Sequence, residues 1–410
     1  MRYIESNGTS LAKEGKEVKR VKNFTYHNPT KIYFGKDTIN NIGREMSENG
    51  ISKALLVCGR QSIFSTGVYD RVMDSLEEWT IDSVLFRGVQ SNPILSKVQE
   101  GIDLAGQEGV DAILAVGGGS VFDSAKAIAA GVKHPGPVWD LFSGQARINE
   151  ALPVFGVLTL SATGSEMNGN AVITRTEEKK KWGMGSRHLY PRVSIIDPQF
   201  QAHLSEQDTV NGAVDILSHV FELYFDGTKN VELMQEYSEA IIRTVMKCIR
   251  ILLHNPADYE ARAQIAWAAT LALNNSNGTG RSGGDWAAHD IEHSLSAFYN
   301  VAHGAGLAVV TPAWMRYVYQ EDLDTFVRFG EKIFGITSGA AEEKAGQGIK
   351  QLRQFLGEIG APLTLKELGV KYDDLEEMAE NAVQQRPLGR LKKLQKQDVL
   401  AIYQLAWDHH

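Results

Sequence analysis

The chain has 410 residues, enough for two domains, and its 43% hydrophobic and 22% charged residues are ordinary for a globular protein. A formal net charge of -8 argues against a broad basic face for nucleic acid. No apolar run approaches the roughly 20 residues of a membrane helix. The two cysteines, Cys58 and Cys248, lie far apart in apolar surroundings, so we expect buried free thiols, no disulfide framework and a cytoplasmic protein.

The first half of the chain alternates between strand and helix patterns. Residues 1–22 are polar and charged, with no apolar core of a secretory signal, and we expect a partly ordered tail. From residue 23 to about 207, short apolar runs rich in β-branched residues alternate with amphipathic stretches, which predicts a parallel sheet flanked by helices. The runs are 31–34, 54–57, 83–86, 112–116, 154–157 and 193–196.

The second half of the chain changes character. From about residue 208 the β-rich runs stop and helical periodicity dominates, for example in 231–253, 259–274 and 342–359. We therefore predict an α/β domain over residues 23–205 and an all-α domain over 206–410, packed closely because no low-complexity linker separates them.

A glycine-rich turn follows the run at 112–116. Gly117-Gly118-Gly119-Ser120 precedes a predicted helix at 121–129, so backbone N–H groups there can approach a diphosphate without obstruction by Cβ atoms. The Gly-x-Gly-x-x-Gly fingerprint is not present. In the alternative interpretation the segment is a tight turn with Ser120 as N-cap and Asp123 as its capping-box partner, a role compatible with phosphate binding.

The turn after the run at 54–57 contains Gly59, Arg60 and Ser62. In a nucleotide-binding sheet this position holds the adenosine ribose, where an acid favours NAD and a base favours the 2'-phosphate of NADP. Arg60 therefore favours NADP weakly, with NAD still possible. The alternative is an exposed loop arginine.

Small hydroxyl residues follow the run at 154–157. Thr159, Ser161 and Thr163 stand at the expected carboxyl end of the sheet, where they can donate hydrogen bonds to a nicotinamide or ribose. Such residues also form ordinary loops, so the segment alone is weak evidence.

One carboxylate and several imidazoles in the second half form a candidate divalent-metal set. Asp215 and His219 are four residues apart, which places them on one face of a helix, and His289 and His293 repeat that spacing. His303 lies fourteen residues after His289, about 21 Å along a continuous helix, so the chain must break and turn back near 296–300. The spacing cannot choose between His293 and His303 as the third imidazole. Any one of these histidines alone is more simply explained as structural.

Four segments together resemble the iron-containing (group III) alcohol dehydrogenases, closest to the butanol dehydrogenase branch. They are the opening strand at 23–35, Gly117–Ser120 with Asp123, the loop at 161–166, and the histidine-rich block at 286–306. The likeness runs from about residue 23 to the end of the chain.

The resemblance implies which residues bind the ion and the cofactor. Asp215, His219, His289 and His303 become the ligands, which leaves His293 beside the site. Asn92 and Lys181 fall where the family contacts the nicotinamide cofactor. Two positions depart from the family: Gly59-Arg60-Gln61 replaces both the acid and the glycine run of relatives, and Ser205 replaces a proline.

The resemblance also implies an activity. We expect a dinucleotide-binding α/β domain, a metal-binding helical domain with Fe(II) or Zn(II), a homodimer, and hydride transfer between NAD(P) and a small to medium primary alcohol or aldehyde. The ion would act as a Lewis acid on the substrate oxygen. His293 would relay the proton, or else form a hydrogen bond to a residue that holds the ion, or pack among apolar groups.

Other activities stay open at this point. A polyol dehydrogenase or a dehydroquinate-synthase-like enzyme would share the fold, and a metal-dependent lyase or hydrolase would share the ligands but need no dinucleotide. An inactive binding protein would be expected to lack a ligand, and none is missing.

Overall fold

A parallel sheet forms the first half of the structure, a computed structural model that describes residues 21–408. The predicted tail, residues 1–22, lies almost wholly outside the described residues. Within them, six strands pair in parallel in the order β1-β8-β5-β4-β2-β3. The strands are β1 (Lys31–Phe34), β2 (Lys53–Cys58), β3 (Asp82–Arg87), β4 (Ala112–Gly117), β5 (Val154–Leu158) and β8 (Val193–Ile196).

Each of these strands coincides with one of the six predicted apolar runs, which confirms the parallel sheet. The central strands are buried on both faces, as strands covered by helices on each side must be. Successive residues point to opposite cores: Leu55 and Val57 pack into one cluster, while Leu56 and Cys58 pack into the other. Cys58 and Cys248 are buried and unpaired, as predicted.

An antiparallel hairpin was not predicted. It consists of β6 (Asn170–Arg175) and β7 (Lys180–Gly185). The charged turn Glu177-Glu178-Lys179-Lys180 and the glycines Gly183 and Gly185 obscure the strand pattern in the sequence. The hairpin matters because β7 packs beside the second half and carries the buried Lys181.

Helices flank the sheet and make up the second half. Those of the first half are α1 (Ile42–Glu48), α2 (Ser62–Ser65), α3 (Val68–Glu78), α4 (Leu95–Glu108), α5 (Gly119–Lys133) and α6 (Trp139–Ser143). Those of the second half are α7 (Glu206–Tyr224), α8 (Glu232–His254), α9 (Tyr259–Leu273), α10 (Ala287–Tyr299), α11 (His303–Val318), α12 (Leu323–Phe334), α13 (Ala341–Glu358), α14 (Leu375–Ala382) and α15 (Lys396–Trp407). In residues 21–408 no helix combines the length and the hydropathy needed to span a bilayer.

Helix α7 runs through the centre of the helical half. Ser205 caps it, its hydroxyl accepting a hydrogen bond from the backbone N–H of Asp208 at 3.0 Å. From Gly212 to Tyr224 every residue of α7 is buried, with α8, α9, α10 and α11 around it. Polar side chains on such a helix are costly unless they are hydrogen-bonded or bind a ligand.

Candidate metal centre

Asp215 and His219 occupy one face of α7, as their spacing predicts. Asp215 Oδ1 lies 3.4 Å from His219 Nδ1, and the two residues are only 3% and 5% exposed. Burial lowers the pKa of His219 to about 3, so its imidazole is neutral and has a lone pair available for a metal.

The predicted chain reversal between His289 and His303 is confirmed. Helix α10 ends at Tyr299, Asn300 adopts a left-handed conformation with φ 51°, and α11 begins at His303. Gly304 then lets α11 approach α7, because a Cβ atom at that position would lie 2.1 Å from the backbone oxygen of Asn211. This close packing brings His303 against Asp215.

Four ligand-type atoms converge at this point. His289 Nε2 lies 4.0 Å and His303 Nε2 3.7 Å from Asp215 Oδ1, beside the 3.4 Å separation to His219. Metal–ligand bonds of about 2.1 Å in a tetrahedral site place donor atoms roughly 3.4 Å apart, so the donors need to move only slightly.

The hydrogen bonding of these atoms fits an ion as well. Asp215 Oδ1, His219 Nδ1 and His289 Nε2 are buried and have no hydrogen-bond partner in the structure. Buried polar atoms are normally paired, so three unpaired atoms of the kinds that bind metals, facing one another, have the chemistry needed to hold a divalent ion. The residues present therefore fit the metal that the sequence predicts.

Glu222, also on α7, holds His289 in place. Its carboxylate accepts hydrogen bonds from the backbone N–H groups of Trp286 and His289, at 2.5 and 2.9 Å, and from His289 Nδ1 at 2.8 Å. One side chain thus satisfies the N-terminus of α10 and fixes the tautomer that leaves Nε2 free for the ion.

Glu292 plays the matching role for His303. It is 0% exposed and accepts hydrogen bonds from His303 Nδ1, from Ser296 Oγ, and from Lys181 Nζ at 3.3 Å. Burial alone would raise the pKa of Glu292, but the charges of His303 and Lys181 outweigh burial and lower it, so the carboxylate is ionised.

His293 lies beside His303. The two rings are 5.5 Å apart, and His293 lines a narrow groove together with Trp182, Asp290 and Arg386. Burial and the nearby charges of Lys181 and His303 lower the pKa of His293 well below its usual value. His293 is therefore a neutral imidazole at neutral pH.

The nucleotide candidates gather at the carboxyl edge of the sheet. Strands β2, β4 and β5 are neighbours, so the turns that follow them meet at one edge. These turns carry Gly59, Arg60, Ser62, Gly117, Gly118, Gly119, Ser120, Thr159, Ser161 and Thr163. Asp123 lies one turn further along α5.

The glycine turn, residues 117–120, directly contacts the loop at 159–165, which we call the hydroxyl loop. Thr159 N–H donates to the backbone oxygen of Gly117 at 3.0 Å, and a Cβ atom on Gly119 would lie 2.4 Å from Thr163 Oγ1. Helix α5 begins at Gly119 with Gly118 as its N-cap, so Ser120 is not the cap that the alternative interpretation required. Val121 N–H donates to Gly118 O at 3.0 Å, which leaves the N–H groups of Gly119 and Ser120 at the start of α5 without an acceptor within the helix.

Asp123 and Lys126 of α5 form hydrogen bonds with the hydroxyl loop and the residues that follow it. Asp123 accepts hydrogen bonds from Ser165 Oγ and from the N–H of Val172, at 2.7 and 2.9 Å. Lys126, 0% exposed, donates to Ser165 Oγ at 2.7 Å and to Asn168 Oδ1 at 3.2 Å. Asp123 is thus engaged with protein groups.

Because Lys126 is buried, we predict that the free energy of unfolding depends on pH in a specific way. Burial lowers its pKa to about 8 from 10.5. Between these values the unfolded chain holds a proton that the folded protein lacks, so the free energy of unfolding rises with pH, by about 3 kcal/mol for this group. Between pH 7.5 and 10, denaturant titrations should show the free energy of unfolding of the wild type rising by about 2 kcal/mol relative to that of Lys126→Met, because the buried thiols titrate alike in both proteins. Equal changes in both proteins would disprove the assignment.

Asn92 and Lys181 lie between the two halves. Asn92 Nδ2 donates to Asn300 Oδ1 at 3.1 Å and to the backbone oxygen of Val301 at 2.9 Å, and Lys181 Nζ donates to Asn92 Oδ1 at 3.0 Å. Both residues are therefore tied to the segment that carries His303.

Glu222, Glu292 and Lys126 were not singled out from the sequence. A usable signal was present for Glu222, because Asp215, His219 and Glu222 share one face of an otherwise apolar helix at i, i+4 and i+7. Glu292 stands inside the histidine block. Their partners lie 67 and 111 residues away, a distance that local spacing does not reveal.

Comparisons with known proteins identify the family of the chain. The family model "Iron-containing alcohol dehydrogenase" matches residues 29–198, and "Fe-containing alcohol dehydrogenase family, C-terminal" matches residues 209–407. NADH-dependent butanol dehydrogenase A of Clostridium acetobutylicum is 39% identical over 94% of this chain and 99% of its own length. The NADPH-dependent aldehyde reductase YqhD of Escherichia coli is 34% identical over 85% of this chain and 89% of its own length.

A solved structure agrees along nearly the whole chain. The crystal structure of NADH-dependent butanol dehydrogenase A from Thermotoga maritima is 49% identical and superposes with a TM-score of 0.93, covering 95% of this chain and 100% of that one. The chain therefore belongs to the iron-containing alcohol dehydrogenase family, in its butanol dehydrogenase-like branch.

Proposed function

We propose that this enzyme transfers hydride between a nicotinamide cofactor and a small to medium primary alcohol or aldehyde, with Asp215, His219, His289 and His303 holding one divalent ion. The observation that carries the proposal is the convergence of four donor atoms, three of them buried and without partners. The glycine turn that would hold a diphosphate lies in the other half of the same molecule. The relatives named as butanol dehydrogenase and aldehyde reductase point to the same class of substrate.

The chain's own residues have three tasks in this reaction. The glycine turn and the start of α5 bind the diphosphate, and Thr159, Ser161 and Thr163 orient the nicotinamide end. Glu222 and Glu292 hold the imidazoles in the tautomers that suit metal binding. A bound ion would supply Lewis-acid polarisation of the substrate oxygen, and the cofactor would supply the hydride chemistry. One carboxylate with three imidazoles suits Fe(II) or Zn(II).

We assign His293 the passage of the proton to or from the substrate oxygen, as a neutral imidazole that donates at one nitrogen and accepts at the other. His293→Ala should keep its metal but lower kcat by about 100-fold. Metal analysis and steady-state kinetics on the same preparation check this. Loss of metal would make His293 a ligand, and unchanged kcat would leave it a packing role.

We propose that the enzyme prefers NADP to NAD because Arg60 lies where the 2'-phosphate would bind. Its guanidinium lies 3.5 Å from Gln90 Oε1, and its backbone oxygen accepts a hydrogen bond from Arg87 Nε at 2.6 Å. Arg60 and Arg87 thus stand beside the turn that would hold the ribose, a surrounding that suits a phosphate.

Arg60→Ala should raise KM for NADPH by about tenfold and leave KM for NADH nearly unchanged, since only NADPH carries the 2'-phosphate. Initial rates with both cofactors and one aldehyde measure the effect. Equal changes for both cofactors would remove Arg60 from cofactor selection.

The proposed activity is tested by adding NADH or NADPH to the metal-loaded enzyme with an aldehyde series that includes butyraldehyde. We expect cofactor oxidation that stops when the metal is removed by chelation. No turnover with either cofactor would contradict the proposal and favour a lyase or hydrolase. The homodimer and the cytoplasmic location stay predictions.

A further inference from the structure

The support of His303 differs from that of His289. His289 is held by Glu222, and both residues belong to the helical half. His303 is held by Glu292, which is itself bound by a residue of the other half, Lys181 on β7.

Glu292 is fixed from several directions. His303 Nδ1, Ser296 Oγ and Lys181 Nζ all donate to it, and it is 0% exposed. A buried carboxylate is costly unless hydrogen bonds and charges satisfy it, and these three donors hold the Glu292 carboxylate in one place. Gly306 keeps the space open, because a Cβ atom there would lie 2.8 Å from both Cγ and Oε1 of Glu292.

Asn92 secures the same segment through its backbone. Its amide donates to Val301 O at 2.9 Å, two residues before His303, and its Oδ1 accepts from Lys181 Nζ at 3.0 Å. Asn92 belongs to the loop after β3, at the carboxyl edge where the cofactor candidates lie. The first half of the chain therefore contacts the segment that carries His303 in two ways, through Lys181 to Glu292 and through Asn92 to Val301.

We propose that Glu292 is a positioning residue for His303, and that Lys181 and Asn92 extend this support across the domain boundary, so that ion retention in the helical half depends on the other half. The proposal rests on the ligand set given under "Proposed function". The Nδ1–H of His303 bound to Glu292 leaves Nε2 directed at Asp215. Displacing the carboxylate frees the ring to rotate and weakens the hold on the ion.

The test uses cobalt(II) bound to the full chain. Its dissociation constant is measured by chelator competition, and its visible absorption spectrum reports ligand geometry. Glu292→Gln should raise the dissociation constant about tenfold and alter the spectrum. Gly306→Ala, which keeps the carboxylate but displaces it, should act in the same direction. Asn92→Gly, which keeps the left-handed backbone, should give a smaller increase and faster cobalt loss.

Matched controls separate positioning from general damage. Glu239→Gln changes an equally buried carboxylate, which binds Tyr224 and Arg328 instead of a ligand. Gly106→Ala adds a Cβ atom where nothing lies within 4 Å. Both should keep the wild-type constant and spectrum.

Wild-type affinity and spectrum in both Glu292→Gln and Gly306→Ala would overturn the proposed role of Glu292. A wild-type constant and release rate in Asn92→Gly would overturn its extension across the boundary. A His303→Ala variant distinguishes failure of the role of Glu292 from failure of the ligand set. If this variant binds cobalt as tightly as the wild type, the ligand set given under "Proposed function" is wrong.

Discussion

Asp215→Ala and His289→Ala should each lose the metal and, with it, catalysis. We expect purified protein with less than about one-tenth of the wild-type metal content and kcat lowered by at least about 1000-fold, because Lewis-acid stabilisation is worth several kcal/mol. Asp215 Oδ1 and His289 Nε2, which these substitutions remove, are buried and have no hydrogen-bond partner within the protein. Elemental analysis and aldehyde reduction on the same preparation measure the two effects.

The metal-free variants should remain folded. Asp215 Oδ1 is buried without a hydrogen-bond partner, so Asp215→Ala removes an unsatisfied group, whereas His289→Ala also deprives the buried Glu222 of its Nδ1 donor and leaves a cavity. Thermal unfolding of the chelated Asp215→Ala protein should therefore match or exceed that of the chelated wild type, and that of chelated His289→Ala should occur at a lower temperature. Asp324→Ala and His254→Ala, at exposed positions of α12 and α8, serve as controls that keep metal and activity. Normal metal content in either ligand variant would contradict the assignment.

Gly119→Ala should disrupt cofactor binding while leaving the metal in place. The added Cβ atom would lie 2.4 and 2.5 Å from Oγ1 and Cγ2 of Thr163, so the glycine turn and the hydroxyl loop must move apart. We expect the dissociation constant of NADPH to rise by more than about tenfold, a loss of about 1.4 kcal/mol or more. Fluorescence titration with NADPH and elemental analysis measure both quantities.

Gly106→Ala is the matched control for this substitution. It lies inside α4, where a Cβ atom meets nothing within 4 Å, and alanine there should stabilise the helix by about 0.5–1 kcal/mol. Its affinity for NADPH should equal that of the wild type. An unchanged affinity in Gly119→Ala would mean that the diphosphate binds elsewhere.

The sequence predicted the parts of the fold that depend on local pattern. The six sheet strands are continuous apolar runs, and helices such as α8 and α13 follow clear periodicity. The requirement that the chain reverse between His289 and His303 followed from the size of a metal site alone. It was met at Asn300, whose left-handed conformation ends α10.

The remainder depends on contacts between distant segments. The hairpin of β6 and β7 is hidden by its charged turn and its glycines, and with it the burial of Lys181 against Glu292. The spacing of histidines left His293 and His303 equivalent. The structure separates them because Gly304 lets α11 pack against α7, which places His303 Nε2 3.7 Å from Asp215 Oδ1, while His293 lines the groove with Trp182 and Arg386.

The central claim is that one divalent ion binds among Asp215, His219, His289 and His303. Anomalous diffraction from a crystal of the metal-loaded protein, recorded on both sides of the absorption edge of the metal, tests it directly. The account predicts one strong peak within bonding distance of these four side chains. A peak among Glu292, His293 and His303, whose donor atoms also lie within 4.8 Å of one another, would contradict it, as would no peak at all.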